Sequence, residues 1–556
     1  MNLSVHIPKA AYAYGKRSSG ETHGVVLTKP HIVELILDLA GYTADRDLTS
    51  LRLLEPSCGT GAFLIKAVQR LMRSANRRGT PPERLADCID AFDIDSAHVA
   101  ASRLAVETEL KRFGASRHAA RKLAEKWVRE ADFLLSSFGP YDAIVGNPPY
   151  IRIEKLAPLL QAEYRRRYTS LYDRADLYVA FIEHSLNQLS PEGILSFVCA
   201  DRWVLNRYGS PLRRLISERF NVRCYIDLHQ ASPFESEVIA YPSIFSIGGG
   251  TPSPVKVSRL QTASPHECAS LSAVLQGKKN GPVSPTVFSY KSWFTGDEPW
   301  VLSPPAQLKV LRELEAKFRP IEASAKVHIG VATGNDSVYI VDRSADIELD
   351  RLVPLVMRAD IEKGGIKDAG RRVINTFEPS GETIELKGYP RLRRYFESHG
   401  LEIKKRHVAQ KNPRAWFRTI DRVYPELVKV PKLLIPDIAG SNEIAFDEGR
   451  YHPHHNLYFV TSDAWDMEVL GGLLSSKVAL FFIWSYAVKM RGSYFRFQAQ
   501  YLRRIRLPEP SSLAPQLRQD IKTAFRKRDF EVLDSLSLRA FGLKSLPPFN
   551  FVDTRR

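Results

Sequence analysis

Helix-like and strand-like segments alternate between residues 30 and 199, and this alternation constrains the fold more than any other feature of the chain. Helical periodicity interleaved with short apolar runs is typical of a mainly parallel sheet covered by helices. We therefore predict an α/β fold with a doubly wound, mainly parallel sheet. The predicted helices are 30–40, 61–72, 96–113 and 176–189, and the predicted strands are 51–55, 88–93, 143–145 and 193–199.

The alternation ends near residue 250, where the segment 248–254 is rich in glycine and proline. These residues interrupt both helical and strand periodicity, so the segment is a candidate domain boundary. A chain of 556 residues also exceeds the size of one ordinary core. We predict a first domain at 1–250, a second domain of mixed α+β structure at 255–510, and a short helical tail at 511–556.

Composition restricts the possible partners and the compartment. The formal net charge of +17 favours polyanions such as nucleic acid. The five cysteines are scattered without a Cys-x-x-Cys pair, so neither a disulfide framework nor a cysteine zinc site is indicated and a cytoplasmic location fits. The N-terminal residues lack the apolar segment of a secretory signal. The most apolar stretch, 469–488, is interrupted by Lys477 and two serines, which predicts a buried helix and no membrane association.

The tetrapeptide Asn147-Pro148-Pro149-Tyr150 follows the apolar run 143–146, at the carboxyl end of a predicted strand where open α/β sheets bind ligands. Because two prolines restrict the backbone, the Asn147 side-chain oxygen and the Pro148 carbonyl can both be presented as acceptors. Two acceptors that bind a planar amino group direct its nitrogen lone pair toward an electrophilic methyl group. Tyr150 can stack on a base extruded from a duplex. A proline-rich turn without function is the alternative interpretation.

A second segment reads as a strand, a glycine turn and a helix, and it contains Gly59 and Gly61. Glycines at this point allow the backbone to approach a ligand closely. Asp93 ends the next strand, where a carboxylate can accept both hydroxyls of a ribose. Asp132 and Phe133 follow a further helix and suit an adenine ring. Each acid taken alone is better explained as an exposed loop carboxylate, but their order indicates a nucleoside cofactor. The absence of a third glycine at Leu64 favours a smaller cofactor without a pyrophosphate.

Together these segments resemble the gamma-class adenine-N6 DNA methyltransferases of type II restriction-modification systems, in which the cofactor loop precedes the catalytic tetrapeptide. The resemblance implies S-adenosyl-L-methionine as cofactor and N6 of a flipped-out adenine in a specific double-stranded DNA sequence as the methyl acceptor. It covers residues 14–247 and continues less specifically through 327–336. It therefore implies a methyltransferase sheet followed by a DNA target-recognition domain.

The same resemblance assigns roles to single residues. Thr28 and Glu55 would lie near the methionine part of the cofactor, and a second aromatic beside the flipped base would be Phe234 or Tyr241. Either of these two aromatics is equally compatible with a place in the core. The catalytic residues implied are Asn147, Pro148 and Tyr150, with Tyr150 also stacking on the target base. The cofactor-binding residues implied are Thr28, Glu55, Pro56, Cys58, Gly59, Gly61, Asp93, Asp132 and Phe133.

Basic residues recur beside aromatics between residues 326 and 506. Such residues contact phosphates and base edges in DNA complexes, although any one cluster alone is more often a solvated face. Their concentration in the half that lacks cofactor motifs favours double-stranded DNA. The clusters contain Arg391, Arg393, Arg394 and Tyr395; Lys404, Lys405 and Arg406; Lys489, Arg491, Tyr494, Phe495 and Arg496; and Arg503, Arg504 and Arg506.

Other interpretations of the chain differ in substrate or in activity. The tetrapeptide also resembles that of methyltransferases acting on RNA or on a protein glutamine, and a non-catalytic DNA-binding protein could retain the scaffold. His452, His454 and His455 lack a carboxylate or cysteine partner at a diagnostic spacing, so no metal is assigned. The resembled family implies a nucleoid-associated enzyme that protects host DNA from a separate cognate restriction endonuclease.

Overall fold

The computed structural model describes residues 26–236, 241–277, 286–439, 444–487, 495–496 and 499–549. Two compact units divide the chain, Met1–Pro305 and Ala306–Arg556. The first contains the alternating strands and helices, and the second contains several smaller sheets.

The first unit is built on one nine-stranded sheet. Its strands are β1 (Leu53–Glu55), β2 (Ile89–Asp93), β3 (Val128–Glu130), β4 (Tyr141–Gly146), β5 (Leu189–Ala200), β6 (Asn221–Asp227), β7 (Pro242–Gly248), β8 (Val255–Arg259) and β9 (Val287–Tyr290). Their order is β3-β2-β1-β4-β5-β7-β6-β8-β9. Strands β1 to β5 pair in parallel, whereas β7 runs antiparallel to both β5 and β6. The mainly parallel, doubly wound sheet predicted from the sequence is confirmed.

Helices cover both faces of this sheet, as its βα order requires. They are α1 (Pro30–Leu39), α2 (Ala62–Arg78), α3 (Ser96–Arg112), α4 (Arg117–Trp127), α5 (Pro158–Arg167), α6 (Tyr178–Asn187), α7 (Arg202–Leu205), α8 (Ser210–Arg219) and α9 (Pro265–Leu275). Apolar side chains of α1 to α4 form one continuous core with β1 and β2. The sequence pattern indicated a helix ahead of Asp132 without bounds, where α4 lies, but it did not predict β3, which has only three residues in which a period can be recognised.

The chain leaves β1 for β2 and β3, then crosses back to β4 on the other side of β1. The connection that follows β1 leads toward one edge of the sheet, and the connection that follows β4 leads toward the other. This divergence leaves a crevice at the carboxyl ends of β1 and β4. Glu55 is the last residue of β1, and Asn147 directly follows β4.

The sheet continues past the boundary predicted between residues 250 and 255. Strand β8 pairs in parallel with β6, and β9 pairs with β8. The glycines that suggested a linker are held at the sheet edge, because Asn221 Nδ2 donates to Gly250 O at 2.9 Å and Arg223 donates to Gly249 O at 3.2 Å. The first compact unit consequently extends to Pro305.

In the part of the second unit that the structure describes, there are two four-stranded sheets and three two-stranded ones. Its strands are β10 (Arg319–Pro320), β11 (Lys326–Ile329), β12 (Ile340–Asp342), β13 (Leu352–Val356), β14 (Ile361–Glu362), β15 (Gly365–Ile366), β16 (Arg371–Ile374), β17 (Lys432–Pro436), β18 (Ile438–Ala439), β19 (Ala445–Asp447), β20 (His452–Pro453), β21 (Leu457–Thr461), β22 (Phe495–Arg496) and β23 (Arg506–Leu507). The larger sheets have the orders β11-β21-β17-β19 and β12-β16-β13-β20. Most of their pairs are antiparallel, which confirms the predicted mixed α+β class.

Ten helices are described from Pro305 onward. They are α10 (Pro305–Lys317), α11 (Asp336–Tyr339), α12 (Pro390–Ser398), α13 (Gly400–Ile403), α14 (His407–Lys411), α15 (Met467–Leu474), α16 (Lys477–Tyr486), α17 (Ala499–Leu502), α18 (Pro515–Lys527) and α19 (Phe530–Phe541). Among the described helices, none is by itself long and apolar enough to cross a bilayer, although α15 and α16 pass that test as a pair bent by 57°.

The predicted buried helix at 469–488 is two buried helices, because the chain bends at Ser475 and Ser476 between α15 and α16. The predicted C-terminal tail is also part of the second unit. Helix α18 packs closely on α15, since a Cβ atom added to Gly471 would lie 2.6 Å from the Phe525 ring and one added to Gly472 would lie 2.5 Å from Ile521.

Candidate active site

A cavity lies at the carboxyl ends of β1, β2 and β4. It collects side chains that are far apart in the sequence. The predicted site residues that line it are Thr28, Glu55, Pro56, Cys58, Gly59, Asp93, Asp132, Phe133, Asn147 and Pro148. Gly61, Tyr150, Phe234 and Tyr241 are not among the lining residues.

The loop between β1 and α2 depends on two glycines in left-handed conformations. Gly59 has φ of +52° and Gly61 has φ of +93°. A Cβ atom on Gly61 would also lie 3.2 Å from Ser102 Oγ, whose hydroxyl donates to Gly59 O at 2.8 Å. Gly61 therefore serves the turn and its packing on α3, whereas Gly59 faces the cavity.

Asp93 ties this loop to the end of β2. Its Oδ2 accepts the Gly59 backbone N–H at 2.9 Å, and its Oδ1 accepts the Asp95 N–H at 2.9 Å. His98 Nδ1 lies 3.4 Å from the same Oδ1. The carboxylate is thus held in one orientation at the cavity wall, where it can accept hydrogen bonds from a ligand hydroxyl.

Glu55 is a buried carboxyl group in the cavity wall, with 1% of its surface exposed. Within the described residues its Oε2 has no hydrogen-bond partner. Burial raises the pKa of Glu55 well above its usual value, and the nearby charge of Asp93 raises this pKa further. A buried acceptor of this kind suits a cationic amino group, which would compensate for the cost of burying the charge.

Asp132 and Phe133 form the opposite wall. Asp132 Oδ1 accepts the Leu134 N–H at 2.9 Å, and its Oδ2 accepts the Tyr164 hydroxyl at 2.6 Å. Phe133 is buried, with its ring centroid 4.6 Å from that of His184. Sequence reasoning missed Tyr164, which lies on α5 and lines the cavity, because no motif signalled it.

The Asn147 amide is oriented by the chain segment that precedes α1. Its Nδ2 donates to Val26 O at 3.0 Å and to Thr28 Oγ1 at 3.2 Å. Its Oδ1 is buried, and within the described residues it has no hydrogen-bond partner. Ser57 Oγ donates to the Asn147 backbone carbonyl at 3.3 Å. The side chain therefore has an unused acceptor at the edge of the cavity.

The candidate base-stacking aromatics occupy different surroundings. The Tyr150 ring has edge contacts with Tyr178 and with Phe234, each at a centroid distance of 6.2 Å. The Tyr241 ring instead lies 5.2 Å from the His229 ring and 5.8 Å from the Arg202 guanidinium carbon. Phe234 is thus brought beside Tyr150, whereas the Tyr241 ring contacts His229 and Arg202.

The second unit brings Asp336 next to His454 and His455, to which the sequence analysis assigned no metal. Asp336 Oδ2 lies 3.1 Å from His454 Nε2, and His455 contributes a third potential ligand atom within 4.8 Å of the other two. His452 is buried apart from them, and its ring nitrogens bond to the Pro453 carbonyl and the Tyr424 N–H. The sequence analysis missed this grouping because Asp336 is distant in the chain.

Several basic residues predicted to contact DNA are engaged within the protein. Arg393 pairs with Glu397 at 2.8 Å, and Arg503 pairs with Glu322 at 2.9 Å. Arg406 donates to the Tyr339 hydroxyl at 2.6 Å, which gives it a structural role. The predicted residues Lys489, Arg491 and Tyr494 lie outside the described residues.

Family models match a segment of each compact unit. An Eco57I restriction-modification methylase family model matches residues 74–234, and a TaqI-like C-terminal specificity domain model matches residues 387–507. The chain is 44% identical over 539 residues to the type II methyltransferase M.BstVI of Geobacillus stearothermophilus, a match that covers 94% of this chain and 96% of the relative. It is 45% identical over 533 residues to M.PaeR7I of Pseudomonas aeruginosa, with 94% and 92% covered.

The chain belongs to the adenine-specific type II DNA methyltransferases. The resemblance found from the motifs is thereby confirmed, as are the predicted activity and the methyl donor S-adenosyl-L-methionine. The substrate of this methyltransferase is DNA, and not RNA or a protein glutamine.

The fold of the methyltransferase is shared with larger proteins whose structures were solved in complex with DNA. It aligns with the type IIL enzyme MmeI in complex with DNA at a TM-score of 0.60 and 13% identity, covering 94% of this chain and 75% of MmeI. The DrdV–DNA complex aligns at a TM-score of 0.50 and 12% identity, with 95% and 58% covered. At such identities these alignments concern the fold alone.

Proposed function

We propose that Asn147 and Pro148 bind the N6 amino group of an adenine flipped out of a specific double-stranded DNA sequence and direct its lone pair toward the methyl donor. The observation that carries this proposal is the buried Asn147 Oδ1, which has no partner within the described residues and lies at the cavity edge. A buried acceptor without a donor costs free energy, so such an atom in a functional cavity is better satisfied by a ligand N–H.

The adenine amino nitrogen is a weak nucleophile because its lone pair is delocalised into the ring. Two fixed acceptors, Asn147 Oδ1 and the Pro148 carbonyl, would each accept one of its hydrogens and favour a tetrahedral nitrogen. Because these acceptors are fixed by the fold, they stabilise the developing charge without reorganisation. No strong general base is required by this arrangement.

The cavity residues fit the proposed cofactor contacts. Glu55 presents a buried carboxyl oxygen that has no partner in the described part of the chain and is suited to an ammonium group, and Asp93 presents an oriented carboxylate suited to ribose hydroxyls. Phe133 and Asp132 offer an apolar surface and a polar edge suited to an adenine ring. When bound, S-adenosyl-L-methionine supplies an electrophilic methyl group. Pro56, Cys58 and Gly59 would form the loop that closes around it.

Tyr150 and Phe234 are proposed to enclose the flipped base, because their rings are already neighbours beside Asn147. Stacking between aromatic faces would compensate for the loss of stacking in the duplex. Tyr241 is the second candidate for this position.

The second unit is proposed to recognise the DNA sequence, and the match to a specificity-domain family supports this assignment. A methyltransferase of this family would act on chromosomal DNA and protect it from a separately encoded cognate endonuclease. We propose domain limits that follow the two compact units, Met1–Pro305 and Ala306–Arg556.

Single-molecule sequencing with detection of modified bases tests this function. Genomic DNA from cells that express the chain is compared with DNA from cells that express Asn147→Ala at the same level. Methylated adenine at one short sequence, absent with the variant, would support the proposal and identify the target. An active variant, or unmodified DNA from cells containing folded wild-type protein that binds the cofactor, would contradict it.

A further inference from the structure

The orientation of the Asn147 amide decides whether its side chain can accept a hydrogen bond from an amino group. An asparagine amide has a donor end and an acceptor end of almost identical shape, and rotation by half a turn exchanges them. In the wrong orientation, Nδ2 would face the hydrogens of the target amino group. A catalytic asparagine of this kind therefore needs neighbours that distinguish its two ends.

The Val26 carbonyl, which can only accept, makes this distinction, and the Thr28 hydroxyl holds the same Nδ2 group in place as a second acceptor. Val26 O and Thr28 Oγ1 both accept from Asn147 Nδ2, at 3.0 Å and 3.2 Å. A backbone carbonyl cannot donate, so the reversed amide would place Asn147 Oδ1 against Val26 O. The reversed amide would also lose its bond to Val26 and leave the Nδ2 group facing the cavity.

This segment is itself fixed to the loop that carries Phe234. Lys29 N–H donates to Pro233 O at 3.0 Å, and Glu235 N–H donates to Leu27 O at 2.9 Å. Thr28 and Phe234 form an antiparallel bridge between these two hydrogen bonds. Thr28 is also buried, with 5% of its surface exposed. Its hydroxyl is therefore held beside Asn147 both by this backbone pairing and by packing.

We propose that Thr28 is a positioning residue for methyl transfer, whose Oγ1 acts with Val26 O to keep Asn147 Oδ1 directed at the target amino group. The proposal rests on the function proposed for Asn147. It gives Thr28 a role different from the contact with the methionine moiety that the family resemblance implies. It also connects the acceptor for the amino group to Phe234 through one antiparallel bridge.

Two substitutions separate the hydroxyl from the rest of the side chain. Thr28→Val keeps the size and β-branching but removes the acceptor, whereas Thr28→Ser keeps the hydroxyl. Both are made in the full chain, and thermal unfolding verifies that they fold. The recognition sequence found by modified-base sequencing supplies the duplex substrate. Single-turnover methyl transfer is measured at saturating S-adenosyl-L-methionine and DNA, alongside the dissociation constants for both.

Thr28→Val is expected to lower the methyl-transfer rate about tenfold, the loss typical of one hydrogen bond that matters mainly in the transition state. Dissociation constants for cofactor and DNA should stay within about twofold, and Thr28→Ser should recover most of the rate. This split between rate and binding is not expected of a residue that only supports the fold.

A Thr28→Val enzyme with the wild-type rate would overturn the inference while leaving the proposed function intact. So would a Thr28→Val enzyme that binds the cofactor more weakly but reacts normally at saturation, because that result indicates a cofactor contact. A wild-type chain that folds and binds DNA but transfers no methyl group would instead overturn the proposed function, and the inference with it.

Discussion

The carboxyl groups of Glu55 and Asp93 line one cavity from the ends of neighbouring parallel strands. Asp93 is satisfied by backbone N–H groups, whereas Glu55 is buried with an oxygen that has no partner within the described residues. Burial, and then the charge of Asp93, raise the pKa of Glu55 well above its usual value. This arrangement disfavours the ionised form of Glu55 until a cation enters the cavity.

Glu55→Gln is expected to stabilise the cofactor-free protein at alkaline pH. A carboxyl group with a raised pKa binds its proton more tightly in the folded state, so its contribution to stability falls as pH rises above the usual value of 4.5. The melting temperature of the variant should exceed that of wild type at pH 8, and the difference should shrink toward pH 5. The variant should also bind S-adenosyl-L-methionine about tenfold more weakly, since a charge-assisted hydrogen bond is lost. Equal melting temperatures at both pH values would contradict this expectation.

Phe234→Ala and Tyr241→Ala form a matched pair for the base-stacking position. Stacking of a base on an aromatic ring contributes about 1–3 kcal/mol, so loss of the stacking ring should reduce kcat/KM for DNA roughly tenfold or more. We expect this loss for Phe234→Ala, whose ring contacts Tyr150, and a change within about twofold for Tyr241→Ala. Steady-state methylation of a duplex with the recognised sequence measures both. The reverse ranking would assign the stacking position to Tyr241.

His229 should stabilise the first unit in a pH-dependent way. Burial lowers its pKa, but Asp201 at 2.7 Å and Asp227 at 3.6 Å outweigh burial and the nearby Arg259, so the pKa is raised overall. The stabilisation is fully present below the usual value of 6.5 and is lost as pH rises through the raised pKa. The difference in melting temperature between wild type and His229→Gln should therefore be larger at pH 6 than at pH 8.5. A constant difference would argue against a charged His229.

Lys432 and Asp447 form a fully buried ion pair in the second unit, with a distance of 2.8 Å and no exposed side-chain surface. Removing one partner leaves the other charge buried, so Lys432→Met should cost about 3–5 kcal/mol of unfolding free energy. The exposed pair Arg393–Glu397 provides the control, and Arg393→Gln should cost under about 1 kcal/mol. Urea unfolding of both variants measures these costs. Similar losses in both would contradict the expectation.

Local sequence patterns were sufficient to predict much of the fold. Most strands and helices around the cavity begin and end close to their predicted limits, because periodicity, glycine turns and prolines act over a few residues. Local composition also led to the domain boundary predicted near residue 250, because a glycine-rich turn at a sheet edge and a linker have similar compositions. Strand β8 pairs directly with β6, although β7 lies between them in the sequence and pairs with the other edge of β6. No local sequence pattern indicates this pairing.

The sequence by itself determined the family and the reaction, because Asn147-Pro148-Pro149-Tyr150 and the glycine loop are contiguous motifs that can be recognised locally. Only the tertiary structure decided how these residues are supported. The bond between Asn147 and Thr28 joins residues 119 positions apart, and the bond between Tyr164 and Asp132 joins helix α5 to the segment that follows β3. Such contacts arise because the sheet order brings distant segments together, and a strand order is not encoded in any one segment.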